Sequence, residues 1–388
     1  SHIDPVWFWN WEEGMQEVKA TYASALERMK EFEDFRFTST STAFFEWIEG
    51  ILPEMFEEIK QRVAEGRWEI TGGWFIEPDC ILPCGEAFVR HGLYGQRYLK
   101  SRFGKMAEIG SNVDSFGHNP ILPQILKNSG MDSYVFMRPR LDTPVFTWES
   151  SDGSRVNALC LPAEYTTWFH EPTVKNIELT LERTRDYDKM ICCYGVGNHG
   201  GGPTIENINT IHELQESLEE AELTFSSYAE FLEDIGGGDF PVLTGPFERI
   251  NQGCYSIDSL FKQKMRQAER RLVKADVLMG IACHICGDFM KETGEMERLW
   301  KVVHFNEFHD TMGGTTIKSA RDEAVMQISG VCARAGEIAA LAIQHVVNTQ
   351  DTRGEGFPLF IFHTGGMPYE DYVEVELEWF CQSPLKLL

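Results

Sequence analysis

From residue 35 to about residue 245 the chain alternates short apolar stretches with longer amphipathic ones, in the order FRFTSTS, AFFEWIEGILPEMFEEIKQRV, WEITGGW, GEAFVRHGLYGQRYLKSRF and MAEIGSNVD. An apolar run of about four to eight residues is strand-sized, whereas apolar residues three and four apart mark one face of a helix. Strand and helix in alternation predict parallel strands joined by helical crossovers, because parallel neighbours need a long return path. The alternation continues through PQILKNSG, SYVFMR, the residues around FTWES and SRVNALC, KMICCYGV, a helix from Ile205 to about Ser217, and ELTFSS. The pattern fits either an open doubly wound sheet or a closed barrel. In both, ligands gather at the carboxyl ends of the strands.

The character changes after Pro246. Residues 257–290, 295–308 and 316–348 carry an apolar stripe at helical spacing, clearest in LFKQKMRQAERRLVKADVLMG, and predict a helical bundle. From Pro358 onward FPLFIFHTGG and DYVEVELEWF read as strands. Two isolated strands would leave an exposed edge, so they are expected to open a further β-domain that is cut short. The expected division is therefore a catalytic α/β domain over residues 1–246, a bundle over 247–350, and the start of a β-sandwich over 351–388.

Composition removes some functions. Sixty acidic against 35 basic residues give a formal net charge of −25, which disfavours nucleic acid and anionic membrane surfaces, since phosphate binding needs basic clusters. Carbohydrate is a fitting neutral partner, and ten tryptophans suit sugar stacking, although most are expected in the core. No stretch approaches the roughly 20 apolar residues of a membrane helix, and no signal peptide precedes the first motif. Ten cysteines, several within apolar runs such as KMICCYGV, read as thiols of a reducing compartment, so a cytoplasmic location is expected. A motif at the second residue implies an upstream strand, so an export signal further upstream stays open. Self-association into a homo-oligomer is equally open. Cys283-His284-Ile285-Cys286 has ligand spacing but no second pair, and its apolar helical setting favours a structural reading.

Four polar stretches stand out. If the start of the chain is a strand end, His2 and Asp4 point to one face and Ile3 to the other. Asp114, in MAEIGSNVDSFGHNP, sits where a strand gives way to Gly117 and Pro120. A helix cap is the plainer reading there, but Phe116 and His118 make the turn unusually dense in polar and aromatic groups. LWKVVHFNEFHDTMGGTT places Asn306, Glu307, His309 and Asp310 after an apolar stripe, which aims them at a buried partner. TGGWFIEPD offers Trp74, Glu77 and Asp79, and YGVGNHGGGPT offers Asn198 and His199, both after strands. The latter lacks a P-loop lysine and dinucleotide glycine spacing, so nucleotide binding is discounted.

Taken in order, His-x-Asp-x-x-Trp at residues 2 to 7, GGWFIEPD, DSFGHNPILPQIL from Asp114, Arg138-Pro139, GNHGGGPT, GCYS from Gly253 and NEFHD from Asn306 resemble glycoside hydrolase family 38, the class II α-mannosidases. The resemblance runs over nearly the whole chain. It implies a seven-stranded β/α barrel, then a three-helix bundle, then β-rich domains. It also implies a zinc ion held by His2, Asp4, Asp114 and His309, a donor set that suits Zn²⁺.

The resemblance further makes Asp114 the nucleophile of a retaining double displacement on α-mannosides of oligosaccharides or glycans, with zinc gripping the cis O2 and O3 hydroxyls. It places Trp7 against the sugar, Asp310 on a hydroxyl or beside the metal, and Arg138, Tyr255, Trp74, Glu77 and Asp79 near the substrate. The acid/base position falls at Asn198 and His199, and Asn198 cannot shuttle a proton, which leaves His199, Glu77 and Asp79 as candidates. Ile81 and Cys84 stand where the resemblance implies Asn and Ser. Two alternatives remain: a zinc-dependent carbohydrate deacetylase, and a mannoside-binding protein that keeps the metal without cleaving.

Overall fold

The computed structural model describes residues 2–236, 238–247, 250–287, 293–354 and 358–374. Its elements run α1 (Trp11–Glu31), β1 (Phe37–Ser39), α2 (Thr42–Ile51), α3 (Pro53–Ala64), β2 (Trp68–Ile70), α4 (Gly85–Phe103), β3 (Ile109–Asn112), α5 (Leu122–Asn128) and β4 (Ser133–Phe136). They continue with β5 (Val145–Glu149), β6 (Arg155–Cys160), α6 (His170–Arg183), α7 (Ile205–Ser217), α8 (Tyr228–Asp234) and β7 (Val242–Thr244). After a short 3₁₀ turn at Gln252–Tyr255 come α9 (Ser259–Cys286), α10 (Thr293–Asn306), α11 (His309–Gly313) and α12 (Lys318–Val347).

Local chemistry explains several boundaries. Pro53 has no N–H to donate, so the long amphipathic run 43–63 breaks there into α2 and α3. The Thr204 hydroxyl accepts from the Asn207 N–H while Asn207 reaches back to the Thr204 N–H, a reciprocal cap that starts α7. Along β4, Tyr134 and Phe136 join one core with Trp148 and Phe247, whereas Val135 joins the opposite one with Leu159 and Phe231. The period of two thus covers both faces of the sheet.

Among the described residues the strands form two sheets, a parallel pair β1–β2 and a five-stranded sheet in the order β3-β4-β6-β5-β7. The mixed α/β class is as expected, but among the described residues these strands do not close into one seven-stranded barrel. β5 and β6 pair antiparallel, because the turn after Glu149 closes with Ser150 N donating to Ser154 O at 2.9 Å. KMICCYGV, expected as a strand, runs irregularly: its carbonyls at Cys193 and Gly195 accept from the Asn176 side chain and the Thr167 N–H instead of from a ladder. ELTFSS also forms no strand. Short links bridge the pieces, with Gly72 N donating to Ile109 O at 2.8 Å and Ile3 pairing parallel with Asn198.

Helices α9, α10 and α12 make the bundle. Ala268, Leu272, Ala275 and Ala282 of α9 face Ala324, Ile328, Ala335, Ile338 and Ala342 of α12 in one core, alanines alternating with larger aliphatic side chains. Against the expectation that no stretch approaches a membrane helix, α12 is long and apolar enough to cross a membrane by length and composition, and here its stripe packs on α9. Residues 358–374 form no strand, which corrects the expectation for the segment from Pro358, and Leu359, Ile361 and Tyr372 stand exposed. A strand there would need partners to cover its edge. The rest of DYVEVELEWF lies outside the described residues.

Two glycines set close approaches. A Cβ on Gly95 of α4 would lie 2.5 Å from the Gly73 carbonyl oxygen, and one on Gly14 of α1 would lie 2.1 Å from the Pro5 carbonyl oxygen. Helix α1 is thus pressed directly on the segment that carries His2 and Asp4. Gly14→Ala is expected to push that segment aside and lower the unfolding temperature, while the helical circular-dichroism signal stays near wild type; an unchanged unfolding temperature would contradict the contact.

Candidate active site

The first strand end does what its alternation predicts. Asp4 N donates to Asn198 O at 2.7 Å and Asn198 N to His2 O at 3.0 Å, so the segment runs parallel to the chain at Asn198. Ile3 enters the core, and His2 and Asp4 turn the other way, with His2 Nε2 at 2.9 Å from Asp4 Oδ1. Glu77 backs this pair: its Oε1 lies 3.3 Å from His2 Nδ1 and accepts from the Thr40 hydroxyl at 2.6 Å. That contact fixes the ring orientation and leaves Nε2 facing the cluster.

His309 arrives from the bundle. Past the end of α10 the chain pairs antiparallel with residues 77–79: Asp79 N donates to Glu307 O at 2.8 Å and Phe308 bridges Pro78. Phe308 is buried in the same core as Ile3 and Phe75. His309 Nδ1 stands 3.4 Å from the Glu77 carbonyl oxygen, and its ring stacks on His2 with centroids 5.5 Å apart. Its Nε2 lies 3.6 Å from Asp114 Oδ2, 3.6 Å from Asp310 Oδ2 and 3.9 Å from Asp4 Oδ1. Asp114, two residues past β3, directs Oδ1 to Arg138 Nε.

The donor atoms have no other use. His2 Nε2, Asp4 Oδ1 and His309 Nε2 are buried without hydrogen-bond geometry to any partner, although the first two nearly touch. Buried polar atoms ordinarily find partners, so a convergence of two imidazole nitrogens with the carboxylates of Asp4 and Asp114 fits a divalent cation with mixed nitrogen and oxygen ligands. The protonation balance points the same way. Burial opposes charge on His309, but Asp114 and then Asp310 beside it raise its pKa to about 9. Burial likewise opposes charge on His2, yet Glu77 and Asp4 hold its pKa well above the ordinary value. Asp114 sits far below the usual carboxylate range despite burial, held there by His309, His2 and Arg138. Burial and the acids Asp4 and Asp114 push Asp310 upward.

The other candidate residues divide. Glu77 and Asp310 adjoin the cluster, Asp310 accepting from the Thr315 hydroxyl. Asp79 accepts from the Ile81 and Leu82 N–H groups and closes a turn. Trp74 is 1% exposed, packs near Phe88 and donates to Asn112 Oδ1 at 2.8 Å, so a sugar cannot stack on it. Trp7 is half-buried and stacks on Phe8. Tyr255 ends the 3₁₀ turn that packs on α11. Asn198 takes a left-handed φ of 63° and accepts from the Tyr165 hydroxyl at 2.9 Å. His199 turns outward, its Nε2 2.9 Å from Glu13 of α1.

Comparison with known proteins now adds the lineage. The description "Glycosyl hydrolases family 38 N-terminal domain" matches residues 1–245, and "Alpha mannosidase middle domain" matches residues 250–346. The chain belongs to glycosyl hydrolase family 38. Alpha-mannosidase G of Dictyostelium discoideum is 27% identical over 360 residues, 90% of this family 38 chain and 33% of that protein. Alpha-mannosidase 2C1 of Homo sapiens is 26% identical over 336 residues, 84% of this chain and 32% of that one. The chain therefore spans about a third of the length of these curated relatives. An alpha-mannosidase from Enterococcus faecalis V583 shares the fold with a TM-score of 0.79 at 19% identity, over 91% of this chain and 42% of that one.

Some members of the site carry no motif that sequence reasoning could use. Tyr165 faces His2 edge-on at 5.1 Å and lies under the Arg138 guanidinium, and Thr40 is one of five consecutive hydroxyl residues at 38–42, with nothing in the sequence to single it out. His118 lies in the turn after Asp114 and supports Arg138 from behind: its Nε2 donates to Arg138 O at 2.6 Å and its Nδ1 accepts from the Tyr134 hydroxyl at 2.8 Å. Burial drives its pKa down to about 4, and that of His304 down to about 3. Both rings are neutral when folded and gain protons near pH 6.5 when unfolded, so their contribution is complete above pH 6.5 and is lost as pH falls toward 4. Denaturant titrations are expected to show unfolding free energy falling by about 1.4 kcal/mol per pH unit per histidine in that window. The slope should be shallower in His118→Gln; an unchanged slope would count against the neutral ring.

Proposed function

We propose that this family 38 chain is the catalytic core of a zinc-dependent retaining α-mannosidase acting on mannose-containing oligosaccharides or glycans. The observation that carries the reading is the convergence of His2 Nε2, Asp4 Oδ1, Asp114 and His309 Nε2, three of these donors without hydrogen-bond partners, on the open side of which lies Asp114. The names of the relatives supply the sugar. Those four residues would hold the ion. When bound, zinc supplies Lewis-acid grip on a pair of neighbouring sugar hydroxyls, which favours a ring shape nearer the oxocarbenium-like transition state.

The chain's own residues do the rest. Asp114 is ionised at any working pH and is the ligand that solvent reaches, its side chain 14% exposed against 3% or less for His2, Asp4 and His309. Its carboxylate would attack the anomeric carbon from one face as the C1–O bond to the aglycone breaks, the departing oxygen taking its proton from solvent; water would later attack the same carbon, lose a proton to solvent, and free the sugar and the carboxylate. Arg138 balances the charge on Asp114 and steadies Oδ1 for that attack. Glu77 and Thr40 hold the His2 ring, and Asp310, tied by Thr315, is placed to accept from a sugar hydroxyl. Trp7, on the loop after Asp4, is the aromatic face offered to the ring.

A second reading keeps one observation on its side. The amide of Asn198 cannot exchange a proton, and the neighbouring His199 imidazole is engaged by Glu13. A protein that binds mannosides through the metal without cleaving them would have these features. An aryl α-mannoside separates the readings. Release of the phenol with α-mannose as first product by NMR supports the retaining enzyme; β-mannose first would contradict retention, and tight binding with no phenol favours the binding protein. Release of acetate from an acetylated sugar would point to a deacetylase. Asp114→Ala is expected to lower turnover at least about a thousandfold with the fold intact. Chelation should abolish turnover and Zn²⁺ restore it.

A further inference from the structure

A second buried cluster lies immediately behind His309. His91 of α4, His304 of α10 and Glu307 have side chains that are 0% exposed. His91 Nε2 and His304 Nδ1 stand 3.0 Å and 2.9 Å from one and the same oxygen, Glu307 Oε2, and the two rings are 3.9 Å apart. With hydrogens on those nitrogens, both rings donate to a single carboxylate oxygen. The outer nitrogens, His91 Nδ1 and His304 Nε2, have no partner and are then bare lone pairs.

The same three residues have the makings of a metal site, but the outer nitrogens argue otherwise. An ion bound at the inner nitrogens would leave a hydrogen on each outer one. Those would be two buried donors with nothing to accept them, whereas ligating histidines nearly always donate that hydrogen. The hydrogen-bonded form leaves only acceptors unfilled, the cheaper outcome.

Position gives the cluster its role. Helix α4 packs against α2, α3 and α5 of the α/β part, α10 belongs to the bundle, and Glu307 opens the strip that pairs with residues 77–79 and ends in His309. Trp300 stacks on His304 at 5.6 Å and Arg90 covers Trp300 at 4.7 Å, closing the other side. We propose that the His91–Glu307–His304 cluster is a positioning device that locks the end of α10 against α4 and thereby sets where His309 and, through Glu77, His2 stand at the metal centre. The proposal rests on the reading of His2, Asp4, Asp114 and His309 as metal ligands. Ligand groups must be held within about half an ångström to act together, and a link two residues from His309 acts on that scale.

Zinc-loaded full chain is titrated with a chromogenic chelator, and unfolding temperature is measured in parallel. A glutamine amide can donate where His91 Nε2 does, and a glutamine oxygen can accept where Glu307 Oε2 does. His91→Gln and Glu307→Gln are therefore expected to release zinc as the wild type does. His91→Leu is expected to release it at a chelator level about 10- to 100-fold lower. Ile338→Ala, fully buried in the bundle core away from the cluster, serves as a control that lowers the unfolding temperature without moving the chelator midpoint. If His91→Leu loses stability like that control and keeps its zinc, the cluster is mere packing and the proposal fails. Two zinc ions per chain, one of them lost in His91→Leu and kept in Asp4→Ala, would make the cluster a metal site and overturn it too. A wild type that binds no zinc would instead remove the metal reading itself, and this proposal with it.

Discussion

The short antiparallel strip in which Glu307 and Phe308 lie along Pro78 and Asp79 is the contact on which the site depends. Without it the two imidazoles belong to different cores. His2 rides on a segment anchored by Ile3 among the α1–α3 aromatics, whereas His309 follows a helix whose Trp300 and Val303 pack in the bundle. Phe308 crosses over, its ring buried with Ile3 and Phe75. Because the backbone pairing is specific in register, a slip by one residue would turn His309 to the opposite side. The site is therefore a property of the docked halves, and its geometry is as firm as their interface.

Charge explains why such an arrangement needs help. Asp4, Glu77, Asp114 and Asp310 bring four carboxyl groups within reach of two imidazoles and one guanidinium, almost all buried. Burial disfavours every one of these charges, and only mutual pairing offsets it. Protons on His2 and His309 supply part of the balance, as their raised pKa values show. A divalent ion would supply the same charge at one point and displace those protons, so metal binding and proton release are coupled at this centre.

The amphipathic helices were the most legible part of the chain, α4 and α7 matching their predicted spans residue for residue because each has a full apolar stripe and a clear start. The sheets were less so. An apolar run such as KMICCYGV satisfies strand chemistry, but pairing is decided by neighbours far away in sequence, and here Asn176 and Thr167 take the carbonyls first. The same division holds at the site. His2, Asp4, Asp114 and His309 sit in dense motifs, while Thr40, Tyr165 and His91 each depend on long-range contacts that leave no local mark, and His304 faces Glu307 one helical turn on. Trp74 misled in the opposite sense, since an aromatic beside a polar motif looks like a sugar platform until its burial is known.

Asp114 shows how the two sides of the centre divide one carboxylate. Oδ2 looks toward His309 and the ligand cluster, and Oδ1 toward Arg138, so both oxygens have a cationic neighbour before any sugar arrives. Of the two, the Arg138 side chain is 36% exposed while His309 is sealed, so Oδ1 is the oxygen that an incoming group would approach if Asp114 is the nucleophile proposed above. Such a heavily stabilised carboxylate is a modest nucleophile and a good leaving group. In the proposed double displacement the arrangement would thus favour opening of the glycosyl ester over its formation, and distortion of the sugar ring would have to make up the difference in the first step.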